Sequence, residues 1–327
     1  MTLAIAASLL LALGIDRVWG EPPAALHPVV WMGRYLGLCG RLSTRFQPVA
    51  AFLAGAAAWW VGAVCIGALA WVFQALVFYE IAAVASGRGP VNAVSVLVLL
   101  GLLSWVLKTM LSWRMLRSET LAVAAALQQS LEAGRARLSM LVSRDTSQLG
   151  ESEVLESAIE SLAENLNDSV VAPVFWFLLF GLPGAAIYRF ANTADAMWGY
   201  RGFRNGVQWE WAGKWAAWAD DVLSWLPARI TAVLLMMAAR DLSFFGKLRA
   251  EARKTPSPNS GWPMAAMALA LDTCLRKPGV YALNASGRLP VTADVGLAAA
   301  LASRVLAIIA WSVLLVALLA ALPAFLQ

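Results

Sequence analysis

Apolar residues in this chain come in long uninterrupted runs, and short polar clusters stand between them. The runs extend from about Val49 to Val84, Val91 to Leu107, Val170 to Phe190, Pro227 to Ala239 and Gly296 to Leu326. A hydrocarbon core about 30 Å thick takes about 20 helical residues. The first and last runs therefore span with room to spare, and Val91 to Leu107 is marginal. Val170 to Phe190 is interrupted by Pro173 and by Gly181-Leu182-Pro183-Gly184, a sequence that breaks a helix, and Pro227 to Ala239 is too short to span. Leu3 to Gly14 runs into Asp16 and Arg17 with no small-x-small cleavage site before them, so it reads as a retained helix and not a signal peptide. From Thr109 to Leu141 the pattern turns amphipathic: Leu111, Met115, Leu116, Leu121, Ala125, Leu131 and Leu138 recur at helical spacing. With no alternating strand pattern, tandem repeat or linker, the expectation is an all-α, polytopic integral membrane protein. Spanning, re-entrant and amphipathic cytoplasmic helices would form a single domain over residues 1–327.

Composition agrees with that class. Sixty per cent of the 327 residues are hydrophobic and 14% charged, outside the balance of soluble domains. Lys and Arg concentrate in stretches 34–45, 108–144, 201–214, 240–254 and 276–288, whereas Ser86-Gly87-Arg88-Gly89-Pro90 reads as a tight turn with one Arg. The positive-inside rule assigns all five basic stretches to the cytoplasmic side. The runs 49–84 and 91–107 then form a hairpin whose turn faces out, and 170–190 does not cross completely. A re-entrant pair of half-helices satisfies this, since broken backbone is tolerated at depth when protein or a polar cavity surrounds it. The net charge of +5 fits this rule and anionic lipid, and is no sign of nucleic-acid binding. Cys39, Cys65 and Cys274 are far apart, which suggests neither a zinc knuckle nor a disulfide framework, and all three read as structurally buried.

Five polar clusters carry the candidate chemistry: Asp16 to Pro22 with His27-Pro28, Ser143 to Thr146, Glu164 to Asp168, Asn192 to Asp195 with Asp220-Asp221, and Ser257 to Gly261. Their carboxylates, amides and arginines point to one active site at a membrane surface. Glu156, Glu160, Glu164 and Asp168 recur every four residues and so share one helical face. Arginines, a divalent cation or plain solvent must offset their repulsion, and a solvated helix edge is the bland alternative. Asp220 and Asp221 follow the Trp209 to Trp218 stretch, which resembles an interfacial aromatic belt. Paired carboxylates suit Mg²⁺, which keeps several waters and bridges to phosphates, although one Asp could instead cap a helix or pair with Arg229. Asn192-Thr193-x-Asp195 has the form of an N-terminal helix cap. His27 is the single histidine, held near Glu21 by a turn-forming Gly-Glu-Pro-Pro sequence. The loop Ser257-Pro258-Asn259-Ser260-Gly261 could cradle a phosphate with backbone and hydroxyl donors. No GxxxxGK[ST] or GxGxxG occurs, so no P-loop or Rossmann site is claimed.

The segments Asp16 to Gly33 (DRVWGEPPAALHPVVWMG), Leu138 to Asp168, Asn192 to Tyr200 (NTADAMWGY), Asp220 to Thr231 (DDVLSWLPARIT) and Ser257 to Pro263 (SPNSGWP) resemble the CobD/CbiB family of cobalamin biosynthesis, in order and approximate spacing. Departures from the family pattern are Thr255, where a histidine is expected, Trp218, where an arginine is usual, and Leu271 to Lys277. The resemblance implies adenosylcobinamide-phosphate synthase, an acid–amine ligase that joins adenosylcobyric acid, a corrinoid, to aminopropanol phosphate or a related amino alcohol with ATP and Mg²⁺. It further implies a multi-pass protein of the cytoplasmic (inner) membrane with its site facing the cytoplasm, in company with other late cobalamin-pathway membrane enzymes.

Under that resemblance, Glu164, Asp168, Asp220 and Asp221 are the metal candidates. Arg144, Lys214 and Arg229 contact phosphate, Asn192, Asp195, Ser257 and Asn259 orient substrate, and Glu21 or His27, with Asp145, is the catalytic candidate. Two rivals stand beside it: an AmpE-like non-catalytic membrane sensor, which shares the scaffold, and a transporter, which would also show broken helices with buried carboxylates.

Overall fold

The computed structural model describes residues 2–86 and 93–325; of the turn expected at residues 86–90, all but Ser86 lies outside them. The described chain is almost entirely helical: α1 Thr2–Trp19, α2 Pro28–Ser43, α3 Pro48–Ala85, α4 Ala93–Lys108, α5 Trp113–Leu127, α6 Leu131–Leu138, α7 Glu151–Leu166, α8 Ala172–Trp198, α9 Lys214–Ala239, α10 Phe245–Ala252, α11 Gly261–Ala270 and α12 Thr292–Phe325. Among the described residues, five helical stretches are long and apolar enough to cross a membrane: Pro48–Val84, Val94–Leu127, Glu151–Trp198, Lys214–Ala239 and Thr292–Leu322. The all-α membrane class therefore holds. It carries two small antiparallel hairpins that the apolar pattern did not foreshadow: β1 Phe203–Arg204 with β2 Val207–Gln208, and β3 Leu275–Lys277 with β4 Tyr281–Leu283. These strands are two or three residues long, too short to register an alternating pattern.

The chain divides into two compact units, each assembled from separate segments. The first comprises residues 1–112, 172–223 and 313–327. In it α1 packs on α4, α3 on α8, and α2 on both α3 and α8. Helix α1 outruns its apolar segment and carries Asp16 to a fully buried position. The apolar run 170–190 is broken where its Gly-Leu-Pro-Gly sequence requires, because Gly181 takes φ +68° inside α8. A left-handed residue suits glycine, and the Leu182 amide beyond the break donates to Gln74 Oε1 of α3 at 2.6 Å. Pro173 breaks nothing. A π-helical turn, Asn167–Val171, runs straight into α8 ahead of it, a local widening where a residue without an N–H cannot continue the regular ladder.

The expectation that Pro227 to Ala239 is too short to span is wrong. Helix α9 starts thirteen residues earlier, at Lys214, and runs through Pro227. Proline removes the bond to the carbonyl four residues back, here that of Leu223. That carbonyl instead accepts from the Trp176 indole N–H at 3.0 Å. Trp176→Phe keeps an aromatic ring and deletes the donor of this half-buried bond, so it is expected to destabilise the protein by about 0.5–1.5 kcal/mol, the usual net contribution of one hydrogen bond. Thermal unfolding in detergent measures this, and an unchanged midpoint would show that the carbonyl is satisfied in another way.

The second unit comprises residues 113–171 and 224–312. Helix α7 is its centre, packed against α5, α6, α11 and β3. The amphipathic stretch after Thr109 forms α5 and α6 as its pattern implied. Of the cysteines only Cys274 is buried; Cys65 is exposed on α3 and Cys39 is half-buried, which corrects the expectation for both. An exposed apolar helix face satisfies a small thiol in lipid as a core does in water.

Candidate functional site

The polar clusters fall into both units. In the first, Lys108 at the end of α4 is fully buried, with its ammonium 2.7 Å from Glu21 Oε2 and 3.5 Å from Asp16 Oδ1. His27 Nε2 lies 3.1 Å from the same Glu21 oxygen. Its other ring nitrogen, Nδ1, accepts from the Val29 amide at 3.3 Å and caps α2. A nitrogen that accepts carries no proton, so Nε2 carries it and donates to Glu21. Burial acts on Glu21 to raise its pKa, but hydrogen bonds from His27 and Lys108 outweigh it and hold the carboxyl below its ordinary value. Each ring nitrogen of His27 is thus engaged in a hydrogen bond, and Glu21 is a carboxylate held by Lys108 and His27. Both are placed to order the turn.

Asn192 and Asp195 lie inside α8, near its end, and do not cap its start. Asn192 Nδ2 donates to Asp220 Oδ1 at 3.4 Å, and Arg189 donates to Asn192 Oδ1 at 3.5 Å. Asp220 and Asp221 likewise sit beyond the first turn of α9, so neither is a cap. Lys214 opens α9 with its ammonium 4.7 Å from the Trp211 ring and 5.5 Å from that of Trp218. The tryptophans of this stretch are partly a packed cluster: Trp215 meets Trp59 and Trp60, and Trp218 meets Phe52.

In the second unit the acidic row on α7 is not a solvated edge. Glu156 is fully buried and bound by Arg276, whose backbone N–H donates at 2.7 Å and whose Nη2 donates to Oε1 at 2.6 Å. Glu160 is buried beside Arg144, whose guanidinium reaches it at 3.5 Å and also bonds the Ser157 hydroxyl. Arginines thus supply the compensation for the first half of the row. Glu164 is the first carboxylate of the row that solvent reaches. The π-helical turn Asn167–Val171 follows it, and there Asp168 accepts from Asn167 Nδ2 at 2.8 Å while Thr231 donates to Asn167 Oδ1 at 3.0 Å. Tyr281 of β4 lies close by. Burial and the Glu160 charge push its hydroxyl pKa upward, so it stays protonated. Asp145, next to Arg144, is fully exposed and accepts from the Ser147 amide and hydroxyl at 2.9 and 3.1 Å, which lowers its pKa.

The Ser257 loop differs from the cradle expected of it. The amides of Asn259 and Ser260 both donate to Ser257 Oγ at 3.2 Å and are not available to a ligand. Asn259 is buried, and its Oδ1 accepts from Arg229 at 3.0 Å; a second Arg229 nitrogen donates to the Pro258 carbonyl at 3.2 Å. Thr255 donates to the Ala252 and Ser257 carbonyls and shapes the same turn.

Sequence reasoning missed Lys108, Arg276 and Tyr281. Lys108 closes an apolar run, a position where an ionisable side chain signals a buried partner; no comparable signal marked the other two. Among the described residues no three His, Cys, Asp or Glu side chains are gathered as a metal cluster. Magnesium commonly takes only one or two carboxylates, with waters and substrate phosphates completing its shell. The pair Asp220–Asp221 in the first unit and Glu164–Asp168 in the second fit that mode of binding, each within its own unit.

Fold and side chains together define a polytopic membrane protein in which carboxylates, amides and arginines are held by helix ends and short loops. The chain belongs to the CobD/CbiB family: the model of the CobD/Cbib protein matches residues 9–309. It is 40% identical to a protein of Thermococcus kodakarensis named probable cobalamin biosynthesis protein CobD, over 95% of each chain. A protein of the same name from Methanothermobacter thermautotrophicus is 40% identical, over 84% of this chain and 86% of its own. The cobalamin biosynthesis protein CobD of Dehalococcoides mccartyi is 37% identical, over 84% and 85%. No solved structure matches the chain.

Proposed function

We propose that this protein acts in cobalamin biosynthesis as an ATP-dependent acid–amine ligase, joining adenosylcobyric acid to aminopropanol phosphate or a related amino alcohol at the cytoplasmic membrane. The observation that carries this reading is that the family match, residues 9–309, spans all five polar clusters.

Amide formation requires the carboxylate oxygen to become a leaving group. Transfer of the ATP γ-phosphoryl to that oxygen gives an acyl phosphate and ADP. The amine nitrogen then attacks the carbonyl carbon, the C–O bond breaks, phosphate departs and the nitrogen loses a proton. The protein's share is positioning and charge stabilisation. Magnesium, held by Asp220–Asp221 or Glu164–Asp168, would neutralise phosphate charge. Arg144, Arg229 and Lys214 are assigned to phosphate oxygens, and Asn192, Asp195, Ser257 and Asn259 to orientation. The two hydrogen bonds of His27 and the ion pairs of Glu21 argue that water or the departing phosphate takes the amine proton.

His27→Gln is therefore expected to lower thermal stability and to leave turnover per folded molecule within a few fold. Loss of roughly 10²- to 10⁴-fold in kcat, the range of a missing general base, would return the base to His27. The function itself is tested by formation of adenosylcobinamide phosphate and ADP by the purified protein.

A further inference from the structure

A cavity of about 650 Å³ opens in the second unit, lined by Trp225 and Arg229 of α9, Arg249 of α10, Arg253, Ser257 and Trp262. Three guanidinium groups share this space. Among the described residues no carboxylate lies within ion-pair distance of any of them. Glu251, the one carboxylate on α10, is engaged by Lys254 at 2.7 Å and by the Asn284 amide at 2.7 Å. Arg249 and Arg253 stand four residues apart, a spacing at which like charges repel. Arg229 is fixed without being neutralised, its guanidinium carbon 4.2 Å from the Trp225 ring and 4.7 Å from the Trp262 ring, and its protein acceptors are an amide and carbonyls.

We propose that this arginine-lined cavity binds a phosphate monoester without a metal ion, with Arg249 and Arg253 as its principal contacts and Arg229 as a preset third. Guanidinium forks match phosphate oxygens two at a time. The Ser257 oxygen already accepts from two amides, which leaves its hydroxyl proton as a further donor. The lining contains no carboxylate, so a magnesium–triphosphate complex lacks its usual protein ligand here, whereas a phosphate dianion meets only donors. The volume lies within the range of small-molecule sites, about 300–1,000 Å³, and leaves room for an organic body beyond the phosphate. Trp225 of the lining and Leu226 next to it in the chain are exposed, so the ester can arrive from water or as a lipid headgroup. Equating it with the phosphate-bearing acceptor of the reaction rests on the proposed function; the binding itself does not.

The test is titration calorimetry on the full-length protein in EDTA, with glycerol 1-phosphate as the soluble probe and phosphatidic acid in zwitterionic nanodiscs as the lipid probe. Saturable binding of either probe is expected, weakened about tenfold or more in Arg249→Gln and in Arg253→Gln, the loss of a charge-assisted hydrogen bond. Both side chains are exposed, so these variants fold. Binding of glycerol 1-phosphate identifies a soluble ester, and binding of phosphatidic acid alone identifies a lipid headgroup; each supports the site. No binding of either probe, binding that needs Mg²⁺, or binding unchanged in both variants overturns it. Ligation without metal-free phosphate binding removes the site and keeps the function, and the converse result removes the function alone.

Discussion

Glu164→Ala and Asp221→Ala are each expected to abolish corrinoid amidation while the protein remains folded and membrane-inserted. Glu156 and Glu160 are sunk into α7 beside arginines, where truncation damages the fold. Glu164 and Asp221 are partly exposed, so their loss removes ligand-holding capacity and not packing. Losing a magnesium ligand removes charge stabilisation from the transferring phosphoryl group, an effect felt in kcat. Product formation by each variant, normalised to the folded fraction from size-exclusion chromatography, measures this. Full activity in both would place the metal on other residues.

Lys108→Met should produce the largest loss of stability of any single surface-preserving change. The side chain is fully buried between Asp16 and Glu21, and removing one partner of a buried ion pair costs about 3–5 kcal/mol because the opposite charge is left behind. Adding Asp16→Asn to Lys108→Met should recover part of that loss, since it removes the orphaned charge. The pH dependence follows from Glu21, whose pKa is depressed in the folded state. Its contribution is complete above the ordinary carboxylate value of 4.5 and is lost as pH falls below it toward the folded value. The wild-type unfolding midpoint should therefore drop on acidification below that pH, and the drop should be blunted in Lys108→Met. Equal stability of the two proteins at neutral pH would contradict the buried network.

The helical class and the break in α8 were legible because both are local: long apolar runs require helices, and Gly181 with Pro183 requires a kink. What the chain conceals is supplied by residues distant in sequence. Pro227 reads as a stop, yet Trp176, 51 residues earlier in the sequence, satisfies the carbonyl that proline frees. The four-residue acidic spacing showed a shared face but not its partners, since Arg276 lies 120 residues from Glu156. Asn192-Thr193-x-Asp195 has the composition of a cap and sits inside a helix because the residues before it, Gly184 to Ala191, were already helical. The Ser257 loop reads from its small polar residues as a phosphate cradle, whereas its amides turn inward to Ser257 itself. Lys108 reads as one member of a basic stretch, and its place at the end of an apolar run signals a buried partner that only the fold identifies as Asp16 and Glu21.

The central claim rests on turnover. Purified protein in detergent, supplied with adenosylcobyric acid, aminopropanol phosphate, ATP and Mg²⁺, is expected to form adenosylcobinamide phosphate with one ADP released per amide bond, and to form none when ATP is omitted. Folded protein that makes no amide under these conditions, or makes it without consuming ATP, would contradict the account.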